Sequence, residues 1–547
     1  MLAVVVQPSR RSLSATAARH YNHRYRILSP QLKFSVNIVI LHCHFERGGV
    51  SQVVENHVRA LKNIGDIQRI FLASGDRIGG LSAETLAAVT TVTVNDFDYD
   101  SQMYSAEALA NRAASIAENL SKALLSQGVD RESTVLHWHN HSLGKNSAAP
   151  AVIRLLAQTG WRLLLQIHDF AEDNRPGNYQ HLISASGAKD KTDIDRYLYP
   201  VASQIHYATL TRADQSAVLQ IGIPTARAHW LPNSVAAPSE DRSSQAESLL
   251  KIRSALGLPS DARWYLYPVR GIRRKNVGEF LLLSRWTDPS CYSGLTLRPA
   301  TPIEERSYDR WRKLAEDVAP RAIFDAAREG IPFADNVAAA DAILSTSVAE
   351  GFGMTFLEPW LSGREVIARR LQTVTDDFEE SGIRIDKLYD QIPVPGDKQW
   401  LLECQTQYSE ALNAAWEKIP TEFRPQESKI DGHLTEIDFA LLTTDRQTEV
   451  LRRISQDPGF EAELQDRSSS LIMNLRSGPD RHRIKHNESI VRDRYSTEHA
   501  AITLRQIYQM IAAAPIDNRI DAPAGAGSGV DTINDVRPFY PCRTELI

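Results

Sequence analysis

No apolar run in this 547-residue chain approaches the length of a membrane span, so no transmembrane helix is expected. Cysteine is scarce. Cys43, Cys291, Cys404 and Cys542 lie far apart and form no C-x-x-C pair, which argues against a disulfide scaffold or structural zinc and fits a reducing, cytoplasmic setting. An excess of one charge is missing too. The net charge is −5 and the basic residues are scattered, with one cluster at 270–275, so nucleic acid is not expected as a partner and an acidic membrane is not the main one. No internal repeat of solenoid period is present. The first 33 residues contain no Asp or Glu. That stretch reads as a disordered leader or a transit-like segment of no catalytic consequence.

What is present is globular in composition, 42% hydrophobic and 24% charged, and too long for one ordinary core. Val36–His42 is a nearly continuous apolar run suited to a buried parallel strand. Gly48-Gly49-Val50 and a helical pattern follow it. Further strands are expected at 69–73, 134–138, 162–167, 207–211, 264–269 and 293–297, with helices at about 105–127, 148–158, 277–283 and 307–315. Such alternation predicts βαβ units and two doubly wound parallel sheets. A polar stretch, 236–247, marks the boundary between the halves. The chain therefore divides into a leader at 1–33, a first half at 34–235, a second half with a helical extension at 236–490, a last helix at 491–513, and a flexible tail at 514–547. The run Asp521–Gly529 resembles a linker.

The stretch Ser345–Glu358 reads as strand end, Gly-rich loop and helix. Gly351 and Gly353 permit close backbone approach, and a helix starting near Met354 would turn its N-terminal N–H groups toward an anion. Glu350 lies in the loop and Glu358 about one turn into that helix. Arg270 and Lys275 offer fixed positive charge at another strand end. His137, His139 and His141 alternate along a strand and suggest a metal cluster, but no nearby carboxylate or cysteine completes one, so no metal is expected. Asp96–Asp98–Asp100 and Asp193–Asp195 have the Asp-x-Asp form and read as solvated acidic turns.

Taken in order, these pieces resemble the GT-B fold glycosyltransferases of the large retaining family 4. The matching residues are Gly48-Gly49-Val50, His137-Trp-His139, Ile167-His168-Asp169, Leu231-Pro-Asn-Ser-Val235, the R-x4-K pair Arg270 and Lys275, and the E-x7-E signature Glu350–Glu358 with its internal Gly351-Phe352-Gly353. The resemblance spans roughly 36–513. It implies two Rossmann-like domains facing a cleft, with a C-terminal helix crossing back. It also implies transfer of a hexose from a nucleotide-diphosphate sugar to an acceptor hydroxyl, with retention and without a metal or other cofactor. His139, Arg270, Lys275 and Glu350 would be catalytic. Gly48, Gly49, Gly351, Phe352, Gly353, Met354, Thr355 and Glu358 would hold the donor, with Glu350 on the sugar and Glu358 on the ribose. His168, Asp169, Arg175 and Asn178 would face the acceptor, which stays open among a small polyol, a sugar and a lipid-linked glycan; peripheral membrane contact also stays open.

The chain departs from the family pattern at four places. Ser234 stands where Gly is usual, and Glu365 where Pro is frequent. The later Gly-Gly-x-x-E loop is not recognisable in 369–382. The stretch 296–307 lacks the usual glycine turn. A non-catalytic nucleotide- or carbohydrate-binding protein of the same fold is the alternative reading, and an isomerase or phosphorylase using the same cleft is another. NAD chemistry is disfavoured, because the first loop lacks G-x-G-x-x-G.

Overall fold

The computed structural model describes residues 35–62, 64–236, 244–328, 331–426 and 435–544. The leader at 1–33 and most of the polar boundary stretch (237–243) lie outside the described residues. Residues 36 onward form one compact unit built on two parallel sheets.

The first sheet contains β1 (Val36–Leu41), β2 (Ile67–Ser74), β3 (Thr90–Thr93), β4 (Thr134–His139), β5 (Arg162–Ile167), β6 (Ile205–Thr209) and β7 (Ala228–Trp230), in the order β3-β2-β1-β4-β5-β6-β7. β1 pairs in parallel with both β2 and β4, placing Val39 opposite Phe71 on one side and Leu136 on the other. All six β1 residues are buried, as a strand covered on both faces requires. Helices Ala106–Ser126 and Ala149–Gln158 cover one face through Leu109, Ile116, Leu120, Val152 and Leu156, packed on Leu136 and Trp138. Helix Gly49–Leu61 covers the other face together with the long helix Thr497–Ala513, which returns from the far end of the chain.

The second sheet contains β8 (Arg263–Arg270), β9 (Cys291–Leu297), β10 (Ala322–Ile323), β11 (Ala342–Ser345), β12 (Glu365–Arg369) and β13 (Leu388–Tyr389), in the order β10-β9-β8-β11-β12-β13. β14 (Pro393–Pro395) and β15 (Glu436–Asp438) make a small antiparallel pair beside it. Both large sheets reverse direction of growth at their first strand, the switch point where ligand crevices open in such sheets. Two Rossmann-like halves with a last long helix returning to the first half constitute the expected GT-B architecture. The family-atypical Ser234 is buried and is not among the residues with positive φ, so glycine is not needed there. The end of the helix Lys398–Trp416 also departs from a clean division at 236. Its Trp416, with Ile419 and Phe423, packs into the core of the first half.

A buried polar hub fixes the second half. The Arg369 guanidinium on β12 donates to Glu279 (Nε to Oε1 2.8 Å, Nη2 to Oε2 2.6 Å) and to Asp438 (2.8 and 3.0 Å). Tyr389 donates to the same Glu279, and Asn276 does so at 2.8 Å. Arg369 and Glu279 are essentially inaccessible, at 1% and 0%. A second anchor follows from Glu365. Its carboxylate pairs with Lys387 at 2.6 Å and with Arg483, tying the helix Arg481–Arg494 to the sheet.

The tail contradicts the linker reading. From 514 to 544 it runs along the rest of the fold, beginning with a bridge between Val201 and Asp521. Its glycines serve close approach. A Cβ on Gly525 would lie 2.5 Å from the Gln220 carbonyl oxygen, and one on Gly529 2.4 Å from Asp195 Oδ1. Asp195, expected in a solvated turn, is buried and accepts from the Gly527 and Gly529 amides at 2.7 and 2.9 Å. Asp100 is likewise enclosed, bound by Arg112, Ser147 and His181. Neither Asp-x-Asp run is a solvated acidic turn, because each supplies a buried acceptor.

Arg369→Leu leaves Glu279 and Asp438 buried without their cation. Urea unfolding should register a loss of about 3–5 kcal/mol, with Arg369→Leu/Glu279→Leu costing less than the single change.

Candidate functional site

β11 ends at Ser345, and Thr346 and Ser347 open the loop that follows. Their hydroxyls stitch the loop to the Lys275 turn. Thr346 donates to the Lys275 carbonyl at 2.9 Å, and Ser347 shares a 2.7 Å hydrogen bond with Tyr267, whose hydroxyl also reaches the Lys275 carbonyl at 3.1 Å. The Val348 amide donates to the Arg274 carbonyl at 3.0 Å. Held this way, Glu350 meets two cations. Lys275 Nζ bonds Oε1, and Arg274 Nη1 lies 3.0 Å from Oε2. Burial alone would raise the Glu350 carboxyl, but Lys275 and Arg274 outweigh it and hold it down at about 2. Burial lowers the Lys275 ammonium to about 8 despite Glu350. At neutral pH the pair is therefore ionic.

Arg270, expected as the first clamp cation, is instead exposed at the end of β8. Among the described residues its side chain has no hydrogen-bond or ion-pair partner. Arg274, from the same basic run, lies beside Glu350. The basic run 270–275 carried that signal, but spacing could not say which guanidinium turns inward.

The two loop glycines have separate causes. A Cβ on Gly351 would lie 2.7 Å from the His168 carbonyl oxygen across the cleft. Gly353 has φ +83°, and a Cβ there would lie 2.8 Å from Val374, so both conformation and space require glycine. Phe352 is buried against Phe378 and Tyr495, so its ring packs the core and is not presented to a donor. Met354 and Thr355 are half-buried.

No long helix starts at Met354. A 3-10 turn, Met354–Phe356, leads into a four-residue helix, Glu358–Leu361, with Pro359 at its start. Proline lacks the N–H a continuing helix needs and favours a first turn. Glu358 is therefore the first residue of a short helix, and the expected helix dipole is reduced to one turn. The residue is exposed, and desolvation by the surrounding chain raises its carboxyl pKa.

On the first half, Gly48 and Gly49 are exposed, with no atom within 4 Å of a Cβ built on Gly49. His139 is fully buried. It shares a 2.8 Å hydrogen bond with His168 through Nδ1, and its Nε2 has no partner among the described residues. In this structure His139 reaches the cleft only through His168. Burial lowers His168 to about 4 and holds His139 well below the ordinary range, so both imidazoles are neutral. His141 does not share this face and bonds the Leu198 carbonyl instead. Its place is taken by His57 from the helix after Gly49, stacked on His137 at 5.4 Å. Nitrogens of His57, His137 and His139 lie within 4.8 Å of one another. The group holds imidazoles alone, and a divalent ion there would be a buried charge with no carboxylate to balance it.

Asn140, at φ +58°, caps the next strand end by accepting from the His168 and Asp169 amides at 2.8 and 3.1 Å. Asp169 pairs with Arg175 at 2.5 Å. Asn178 donates to the Leu143 carbonyl at 2.8 Å, which braces a neighbouring loop.

The remaining wall comes from residues not expected at the site. A pocket of about 220 Å3 opens beside Glu350. It is lined by 348–350, by 370–373 where the glycine loop of the family pattern is missing, and by Arg537, Tyr540 and Arg543 of the tail. A larger groove of about 770 Å3, lined by Arg310, Lys313 and Arg452 among others, contains none of these loops.

No protein-family model matches the chain. The chain is 29% identical over 427 residues to the mannosylglucosyl-3-phosphoglycerate synthase of Petrotoga mobilis, which covers 75% of this chain and 80% of that protein. Among solved structures, sucrose-phosphate synthase from Thermosynechococcus elongatus superposes with a TM-score of 0.48 and 15% identity, covering 87% of this chain and 99% of that one. Anabaena HepE, solved with UDP and glucose, gives 0.48 and 14% over 87% and 99%.

Because the folded carboxyl of Glu350 lies below its ordinary 4.5, its stabilising contribution is fully present above about pH 4.5 and is lost as pH falls toward about 2. Glu350→Gln should therefore show a shallower loss of urea midpoint between pH 5 and pH 3 than the parent, on the order of that predicted for one removed titrating group.

Proposed function

We propose that this chain is a glycosyltransferase that moves a hexose from a nucleotide-diphosphate sugar to an acceptor hydroxyl with retention of configuration. The observation that carries the reading is the Glu350 carboxylate held by Lys275 and Arg274, between two doubly wound halves, on a loop whose glycine approaches the opposite half. Negative charge grows on the leaving diphosphate as the glycosidic bond breaks. Preorganised cations stabilise that change with little reorganisation. Lys275 and Arg274 are placed for this, and exposed Arg270 is free to close on the phosphates. Glu350 is the acceptor for hydroxyls of the transferred sugar, and Glu358 for those of the ribose. Fixed protein charge supplies the stabilisation a metal would give, so the reaction proceeds without one.

The leaving diphosphate guides the acceptor to the same face, with no protein nucleophile. Neutral His168, next to His139, lines the side from which the acceptor approaches. The Petrotoga relative is by its name a synthase of mannosylglucosyl-3-phosphoglycerate. We extend that class to this chain: a small anionic glycoside as acceptor or product, made in the cytoplasm. Among the described residues no helix is long and apolar enough to cross a membrane.

A thermal-shift screen of UDP, GDP, ADP and their glucose and mannose conjugates identifies the donor, because a ligand binding the folded state raises apparent stability. Product assays with 3-phosphoglycerate and its glucosyl derivative then identify the acceptor. Nucleoside diphosphate binding without transfer to any acceptor favours the non-catalytic alternative.

Lys275→Ala and Glu350→Gln should each lower turnover by about 10²–10³-fold while circular dichroism stays native. Turnover like the parent in both variants rejects the assignment. In the parent, kcat/KM should fall as pH rises through about 8, where Lys275 loses its proton. Lys275→Arg should abolish that limb.

A further inference from the structure

The tail does more than end the chain. Asp531 pairs with Lys191 at 2.9 Å, and Asn534 donates to the Glu172 carbonyl at 2.8 Å. Arg537 then enters a buried cluster, bonding Asp173 at 3.1 Å and also Asp214. Arg543 takes the other side of Asp173, with Nη1 3.0 Å from Oδ1 and Nη2 3.1 Å from the backbone carbonyl. All these partners belong to the first half. Between those two arginines the chain crosses to the second half. Tyr540 and Cys542 pack on Val348 and Ala440, and the turn Pro541–Thr544 lies on the Arg273–Lys275 turn. The tail is thus a strap fastened to one half and laid over the clamp loop of the other.

The strap also walls the pocket beside Glu350. At about 220 Å3 this pocket is smaller than the ~300–1,000 Å3 of drug-sized sites, a space for one small polar unit. Its charged lining is balanced: Arg370, Arg537 and Arg543 are matched by Glu350, Asp173 and Asp390, and Gln372 and Thr373 complete the polar lining. A lining that mixes donors and acceptors in equal charge suits the vicinal hydroxyls of a sugar ring better than a second anion. A guanidinium offers five N–H donors, and Asp173 occupies only part of that set on Arg543.

Resting on the glycosyltransferase reading, we propose that the C-terminal strap is the specificity-determining wall of the sugar pocket, with Arg543 contacting the transferred sugar and Arg537 holding the strap in position. The wall exists only while the strap spans both halves. Sugar recognition and closure of the cleft are then one event.

The test compares the affinity of a nucleotide-sugar with that of its own nucleoside diphosphate by calorimetry, using UDP-glucose with UDP and GDP-mannose with GDP. Arg543→Ala should reduce the gain in affinity that the sugar gives by at least about fivefold and leave the diphosphate within twofold. Arg543→Lys should recover part of the loss. Thermal unfolding of each variant checks that the fold is retained, and Tyr540→Phe, which keeps the packing ring, serves as a second strap variant. An unchanged sugar increment in Arg543→Ala with native diphosphate binding overturns the proposal and leaves the glycosyltransferase reading intact. A gain in sugar affinity also overturns it, by identifying a strap that occludes. Failure of the parent to bind any of these four probes, ADP or ADP-glucose rejects the underlying reading and the proposal with it.

Discussion

The contact between Glu350 and the Lys275–Arg274 pair is the interaction that the loops of the second half are arranged to hold. A carboxylate this enclosed stays ionised only because two cations lie against it, and those cations stay in place only because the turn that bears them is fixed. Three systems fix it. The hydroxyls of Tyr267, Thr346 and Ser347 hold the turn to the end of β11. Asn276, at φ +49°, anchors its far side through Glu279 and Gln447. Glu279 in turn belongs to the Arg369 hub. A polar network of this depth is costly to leave half-satisfied, so the fold of the second half holds the clamp turn in one position.

The first half contributes a surface more than a charge. The carbonyl of His168 lies where any side chain at 351 would be, so the two halves meet at backbone distance beside the clamp. Behind His168 the imidazoles of His139, His137 and His57 form a neutral buried stack that ends on Tyr508 of the returning helix, 2.8 Å from His137 Nδ1. The returning helix therefore braces the histidine stack, while the strap is fastened to Asp173 and Asp214 of the same half.

Much of the fold was legible because buried parallel strands are continuous apolar runs, and 36–41 and 162–167 read as such. The clamp was half legible. Glu350 and Lys275 stood out by spacing, whereas Arg274 could be told from Arg270 only by the geometry of the turn after β8. The helix at Met354 was misread, because the apolar pattern continues past Glu358 while Pro359 and Gly353 break the backbone. His57 was invisible, since its helix meets β4 only in the folded chain. The tail was misjudged most. Glycine and proline mark both linkers and tight backbone approach, and at Gly525 and Gly529 the contacts that distinguish the two lie hundreds of residues away in sequence. Asp173, Asp195 and Asp214 carried no local sign that each would hold a distant segment.

The most direct test of the central claim is a crystal structure of the protein with the nucleoside diphosphate that stabilises it best. The β-phosphate should lie within hydrogen-bonding distance of Lys275 Nζ and Arg274, with the ribose against Glu358 and the pocket beside Glu350 open for the sugar. A diphosphate bound away from the 273–275 turn, with the Glu350–Lys275 pair untouched, would contradict it.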